Sequence, residues 1–271
     1  MAFFSKRTWQ FTYFAQQLGD SMWQGKDVLD FGGNIGNMLR DPNSTIDVER
    51  YWCLDVDNDA LANGRSSYPQ AHWVWYNRYC FFFNPRGLPH MRLPEIPQRF
   101  DYIVAYSVFP NTLATDMLDL VSQLLRLLKD DGKLAFTFID PHYRPWPDRF
   151  DGDNLLWRME KVRVEENPHI DIPALATKAQ NSKWCVLVNG KDIYVENEDI
   201  QFCAPEKQVS CYMFYTADYM KQLFPEATIL PPANNEMQHC CILTADSSVP
   251  LSTDCTEVIN DSRDLLIEQS V

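Results

Sequence analysis

The chain has 271 residues, 45% hydrophobic and 23% charged, with 24 Lys and Arg against 37 Asp and Glu for a net charge of −13. That length suits one substantial domain, or one domain carrying a sizeable insertion. Such an acidic chain is a poor nucleic-acid binder, because counterion release by clustered Lys and Arg supplies most phosphate affinity.

No apolar run approaches the ~20 residues that span a bilayer. The opening Met1-Ala2-Phe3-Phe4-Ser5-Lys6-Arg7 lacks the order of a secretory signal, so a cytoplasmic location is expected. The eight cysteines include no C-x-x-C pair and no His at ligand spacing, and no metal site is expected. Adjacent Cys240 and Cys241 read as buried strand residues.

In chain order, residues 5–22 hold Trp9, Phe11, Tyr13 and Phe14 among polar residues and predict a leading helix. Short apolar runs follow at Asp27 to Phe31, Tyr51 to Val56, Ala71 to Tyr76, Asp101 to Tyr106 and Lys133 to Ile139, each read as a strand. Between the last two, Met117, Leu118, Val121, Leu124, Leu125 and Leu128 fall on one helical face, with Thr115 as cap and Asp131-Gly132 as the end. Residues 84–97 contain four prolines, which leaves a loop crossover where a helix would otherwise stand. Alternating strands and helices of this size predict an α/β fold around a parallel sheet.

After Ile139 the pattern changes. A segment rich in Pro and aromatics leads to a hairpin signal: Trp184 to Val188, the turn Asn189-Gly190, then Ile193 to Val195. Residues 141–210 are therefore read as an inserted α+β cap. Thr216 caps a short helix to Leu223, and strands follow near Ala227 to Leu230 and Gln238 to Thr244. Residues 246–271 carry six acids and one Arg, and are expected to form a mobile acidic tail. The expected plan is one domain over 1–245, with its core at about 23–140 and 211–245.

The segment Val28-Leu29-Asp30-Phe31-Gly32-Gly33-Asn34-Ile35-Gly36-Asn37 is a strand ending in an acid, then a tight glycine turn. The turn is expected to open a helix containing Met38 and Leu39. Glycine admits close backbone approach to a ligand, and a helix start offers N–H groups to a carboxylate. The spacing Gly32-x-Asn34-x-Gly36 misses the G-x-G-x-x-G of a dinucleotide site. It resembles the first motif of class I S-adenosylmethionine-dependent methyltransferases, with Asn34 where many members have their second Gly.

Further matches arrive in the family's order. Tyr51-Trp52-Cys53-Leu54-Asp55-Val56-Asp57 resembles the second strand, Tyr76-Asn77-Arg78 falls at the adenine-reading position, and Phe100-Asp101-Tyr102-Ile103-Val104 matches the fourth strand. Leu127-Leu128-Lys129-Asp130-Asp131-Gly132-Lys133-Leu134 precedes the fifth. The resemblance spans roughly residues 27–140. It implies a Rossmann-like fold, a mostly parallel seven-stranded sheet with helices on both faces, and S-adenosyl-L-methionine as cofactor. It also implies that Asp30, Gly32, Gly33 and Asn34 line the methionine end, and that Asp55, or alternatively Asp57, accepts from the ribose hydroxyls. By the same resemblance Val56 is expected to pack on the adenine, Asn77 to accept from its amino group, and Tyr106, at the end of the fourth strand, to be a further cofactor-binding residue.

Aromatics load the leading helix and the insertions that form the substrate lid in this family, which suits a small, aromatic or hydrophobic metabolite methylated on N or O. Alternatives are a protein methyltransferase that recruits a basic partner, or a Rossmann-like protein without methyl transfer. His142, just after the fifth strand, is the candidate base. Asn111, after the fourth, is a candidate to orient the acceptor, at a place where many family members carry His.

Overall fold

The computed structural model describes residues 8–80, 83–140, 159–163, 184–189, 192–196, 210–233 and 238–249. Its elements in chain order are α1 (Gln10–Leu18), β1 (Val28–Phe31), β2 (Tyr51–Asp55), α2 (Asn58–Ser67), β3 (His72–Trp75), β4 (Phe100–Ala105), α3 (Ala114–Leu125) and β5 (Leu128–Phe138). Then come β6 (Met159–Arg163), β7 (Trp184–Val188), β8 (Asp192–Glu196), β9 (Ser210–Phe214), α4 (Ala217–Leu223), β10 (Thr228–Leu230) and β11 (His239–Thr244). No helix among the described residues is long and apolar enough to cross a membrane.

Seven strands form one sheet in the order β10-β11-β5-β4-β1-β2-β3. β1 pairs parallel with both β2 and β4, β2 with β3 and β4 with β5, whereas β11 runs antiparallel to β5 and β10. The chain moves outward from β1 to β3 and then returns to lay β4 on the other side of β1. That reversal is a topological switch point, and open α/β sheets bind ligands outside the carboxyl ends of the strands there.

Strand alternation sorts the core into two layers. Leu29, Leu54, Ile103, Leu134, Phe136 and Phe138 pack with Met117, Leu120, Val121 and Leu124 of α3 and Met220 of α4. Val28, Tyr51, Cys53, Tyr102, Val104 and Ala135 pack with Phe11, Phe14 and Ala15 of α1 and Leu61 of α2. Cys240 and Cys241 are buried and free, one in each layer. Between β3 and β4 the described residues form no helix, as the prolines require.

Three helix boundaries differ from the sequence reading. α1 is shorter than 5–22 at its C-terminal end because Gly19 (φ 65°) closes it, its N–H reaching Ala15 and Gln16 carbonyls. α3 begins after Leu113 with no side-chain cap, so Thr115 lies inside it rather than capping it. It stops at Leu125, and Asp131-Gly132 lies within β5. Lys129 explains the early stop: its Nζ reaches Asp27 Oδ2 and Asp101 Oδ2, each at 2.7 Å, drawing this segment under β1 and β4. The β4–β5 register then shifts between Phe100 and Tyr102. Gly132 sits in the irregularity, where a Cβ would stand 2.7 Å from the Phe100 carbonyl oxygen.

β6 to β9 make a second sheet in the order β6-β8-β7-β9. β7 and β8 pair antiparallel with Val188 opposite Asp192, around Asn189 at φ 55°, as the Asn-Gly signal predicts. The Tyr215 N–H bonds the Ile139 carbonyl, and Tyr215 Oη donates to the Thr112 carbonyl at 2.5 Å. The end of β9 is thereby tied to the carboxyl ends of β4 and β5. Thr216 caps α4 through the Tyr219 N–H. The expected tail falls largely outside the described residues.

Candidate functional site

The crevice at the switch point begins where β1 runs out. Gly32 (φ 77°), Asn34 (φ 54°) and Gly36 (φ 83°) all take left-handed conformations, which turn the chain sharply over the strand end. The Gly32 N–H bonds the Leu54 carbonyl at 2.7 Å, and a Cβ on Gly32 would overlap Val108, just past β4. The turn therefore bridges the ends of β2 and β4. Beyond it, residues 34–40 form successive turns and not the expected helix. Two left-handed residues so close together interrupt a right-handed ladder, and Pro42 ends the segment a few residues later. Met38 is buried beside Tyr51 and Cys53 all the same.

Asp30 lies behind the turn. It is 1% exposed, accepts the Tyr51 hydroxyl at 2.6 Å on Oδ2, and bonds the Met38 N–H. Burial pushes its carboxyl up to about 7, against the lowering effect of Tyr51. A Cβ on Gly33 would sit 2.5 Å from that carboxylate. The family resemblance places Asp30 along the methionine end; here its carboxylate underlies the turn.

Asp55 closes β2. Its Oδ2 accepts the Asn34 N–H at 2.7 Å and its Oδ1 accepts the Asp57 N–H at 2.8 Å. Burial pushes it up to about 6. The Val56 N–H also bonds this carboxylate, and the lone pair that these three N–H groups leave is open to a further donor. Asp57, the alternative, is occupied elsewhere: its Oδ1 accepts from the Asp59 and Ala60 N–H groups and caps α2. Val56 packs against the α3-side core, and its carbonyl accepts from Trp75 Nε1 at 3.2 Å.

Asn77 follows β3 with its Oδ1 taking the Asn84 Nδ2 at 3.0 Å. Next to it, buried Arg78 anchors this loop. Its guanidinium bonds Asp119 at 2.9 Å, Asp116, the Tyr76 hydroxyl and the Met91 carbonyl.

On the β4 side, Tyr106 is buried edge-on to Trp9 (5.0 Å between centroids), Tyr13 and Phe14, so α1 covers this end of the crevice. Ser107 follows at φ 60°, its N–H on Thr137 Oγ1 at 2.7 Å and its Oγ accepting from Gln238 Nε2 at 3.1 Å. Thr137 in turn donates to Gln238 Oε1. Asn111 donates its Nδ2 to the Ser107 carbonyl at 3.1 Å. His142 lies outside the described residues. A hollow of about 270 Å³ lined by Gln17, Lys133, Glu226 and Thr228 opens at the other end of the strands, away from this crevice.

The structure thus brings Asp30, Gly32, Gly33, Asn34 and Asp55 together around one turn, with Val56 and Asn77 along the β2–β3 side and Tyr106 and Asn111 along the β4 side. Tyr51, Ser107, Thr137 and Gln238 also build the site and escape a motif search. Tyr51 alone left a signal: with period-2 alternation, Tyr51, Cys53 and Asp55 share one face of β2, beside Asp30.

Residues 29–134 match a family model described as a methyltransferase domain. No curated protein matches the chain. Solved structures to which it is similar include the glycopeptide N-methyltransferase MtfA complexed with S-adenosyl-L-homocysteine, at 13% identity over 92% of each chain with a TM-score of 0.46. Another is an S-adenosylmethionine-dependent methyltransferase from Clostridium acetobutylicum ATCC 824, at 9% identity over 88% of this chain and 91% of that one, TM-score 0.47. The mitomycin 7-O-methyltransferase MmcR aligns at 12% identity over 87% of this chain and 54% of its own, TM-score 0.46. The matched segment runs from β1 into β5 and carries the glycine turn, the strand-end acids and the switch point.

Proposed function

We propose that the protein methylates a nitrogen or oxygen atom of a small aromatic or hydrophobic metabolite, using S-adenosylmethionine held at the β1–β4 switch point. The observation that carries the cofactor site is the contact of Asp55 with Asn34, which sets a carboxylate with a spare lone pair against the glycine turn. Asp55 takes the ribose hydroxyls, Val56 flanks the adenine and Asn77 accepts from its amino group. Gly32, Gly33 and Asn34 pass along the methionine end, supported from behind by Asp30, and Tyr106 bounds that end from β4.

When bound, S-adenosylmethionine supplies a methyl group made electrophilic by a cationic sulfur. The chain's own work is to hold an acceptor ~3–3.5 Å from that carbon and in line with it, and to keep water out. The second sheet, tied to the ends of β4 and β5, belongs to the cap that does the covering, expected over residues 141–210 and with its last strand β9 running on to Phe214, within a single domain over 1–245. Asn111 orients the acceptor, and His142, three residues past Ile139, takes a proton where the acceptor carries one. The net charge of −13 favours a small acceptor over nucleic acid.

The test is incubation with cofactor carrying a labelled methyl group and a cell extract, followed by separation of small molecules from macromolecules. Label in the small-molecule fraction is the expected result. Label in protein alone makes the chain a protein methyltransferase, and no label with no cofactor binding removes the reading.

A further inference from the structure

The glycine turn is gripped from behind at both ends, and one side chain connects the two grips. Tyr51 is fully buried. Its hydroxyl donates to Asp30 Oδ2 at 2.6 Å, and that carboxylate lies where a Cβ on Gly33 would be, 2.5 Å away. Its ring meets Trp73 edge-on with centroids 6.1 Å apart, and Trp73 stands 2.9 Å from where a Cβ on Gly36 would be. Strand register makes this possible: Val28 pairs with Tyr51 and Asp30 with Cys53, so Tyr51 and Asp30 share a face of adjacent parallel strands.

A carboxylate this deeply buried needs donors to stay charged. Asp30 has the Met38 N–H from the turn segment and one side-chain donor, Tyr51. We infer that Tyr51 is a positioning residue for cofactor binding: through Asp30 it fixes the Gly33 end of the turn, and through Trp73 it bounds the Gly36 end. It touches no cofactor atom and acts by holding the backbone in the receiving shape. The inference rests on the cofactor site proposed above.

Tyr51→Phe keeps the ring and its packing on Trp73 and removes only the hydroxyl. Calorimetric titration with S-adenosyl-L-homocysteine, on the full chain, compares wild type, Tyr51→Phe, Asp30→Asn and the double variant. Tyr51→Phe is expected to weaken the Kd roughly 5- to 30-fold at full stoichiometry, and the double variant to bind no more weakly than Asp30→Asn alone. Loss of folding would lower the stoichiometry and leave the Kd of the remaining sites unchanged, so the two effects separate. A Kd within twofold of wild type in Tyr51→Phe, or additive losses in the double variant, overturns the inference. Should Tyr51→Phe be too unstable to titrate, Asp30→Asn carries the prediction, and an unchanged Kd there overturns it equally. Failure of the wild type to bind S-adenosyl-L-homocysteine is a different result, since it removes the cofactor site itself.

Discussion

Asp55 and Asn34 stand 21 residues apart in sequence and meet through a 2.7 Å hydrogen bond from backbone N–H to carboxylate. The proposed ribose acceptor is therefore also a clamp on the turn that borders it. This double duty has a pH signature, because burial pushes Asp55 up to about 6 and Asp30 up to about 7 from an ordinary 3.8. A carboxyl raised in the folded state contributes stability that is fully present below about pH 4 and is lost as pH rises through 6 and 7. A ligand whose hydroxyls donate to Asp55 favours the charged form, so its binding has the opposite slope. The Kd for S-adenosyl-L-homocysteine should tighten from pH 5 to 7.5 and then level off. Calorimetry across that range checks it, and a flat or reversed trend would take Asp55 out of the site.

The two acids at the end of β2 should separate cleanly by mutation. Asp55→Asn is expected to weaken cofactor binding by about 1.5–3 kcal/mol, the scale of a hydrogen bond to a charged group. Asp57→Ala removes the α2 cap and should cost about 1 kcal/mol of stability with the cofactor Kd unchanged. Thermal melts and titration on the same two samples decide the assignment.

Gly64 offers a case where packing opposes propensity. Alanine is the better helix former by about 1 kcal/mol, and Gly64 lies within α2. A Cβ there would overlap the Trp73 ring, and overpacking costs typically ~1–3 kcal/mol. Gly64→Ala should lower the melting temperature, and adding Trp73→Phe should recover part of the loss.

Arg78 is the joint between the loop after β3 and α3. Its side chain is 6% exposed, against 27% for Asp116 and 37% for Asp119. Breaking a buried pair costs about 3–5 kcal/mol, and the partly exposed acids can rehydrate, so Arg78→Met should cost about 2–3 kcal/mol. Chemical denaturation measures this, and a loss under 1 kcal/mol would show that the loop is anchored by other contacts.

Much of this was legible because the signals are local. The strand acid and glycine turn, the proline-rich crossover, the Asn189 hairpin and the Thr216 cap are each set by residues a few positions apart. The helix expected after the turn failed for a local reason as well, the left-handed Asn34 and Gly36 with Pro42 close behind. The end of α3 was not legible, since it depends on Lys129 finding Asp27 and Asp101 across the sheet. Tyr51 and Gln238 were missed for the same reason. Their partners, Asp30 and Thr137, are 21 and 101 residues away, and only strand register brings them together.

The placement of β11 between β5 and β10 has a consequence for the order of synthesis. β5 is complete at Phe138, yet its outer edge pairs with β11 from His239 to Thr244. At a ribosomal pace of about 5–20 residues per second, the intervening hundred or so residues take roughly 5–20 seconds to emerge. Throughout that interval the nascent chain carries a bare strand edge flanked by Phe136 and Phe138, a template for pairing with a neighbouring chain. A ribosome stalled within the second sheet would hold the protein in that state. Chaperone capture during translation should therefore peak after Phe138 and fall once Thr244 has left the exit tunnel.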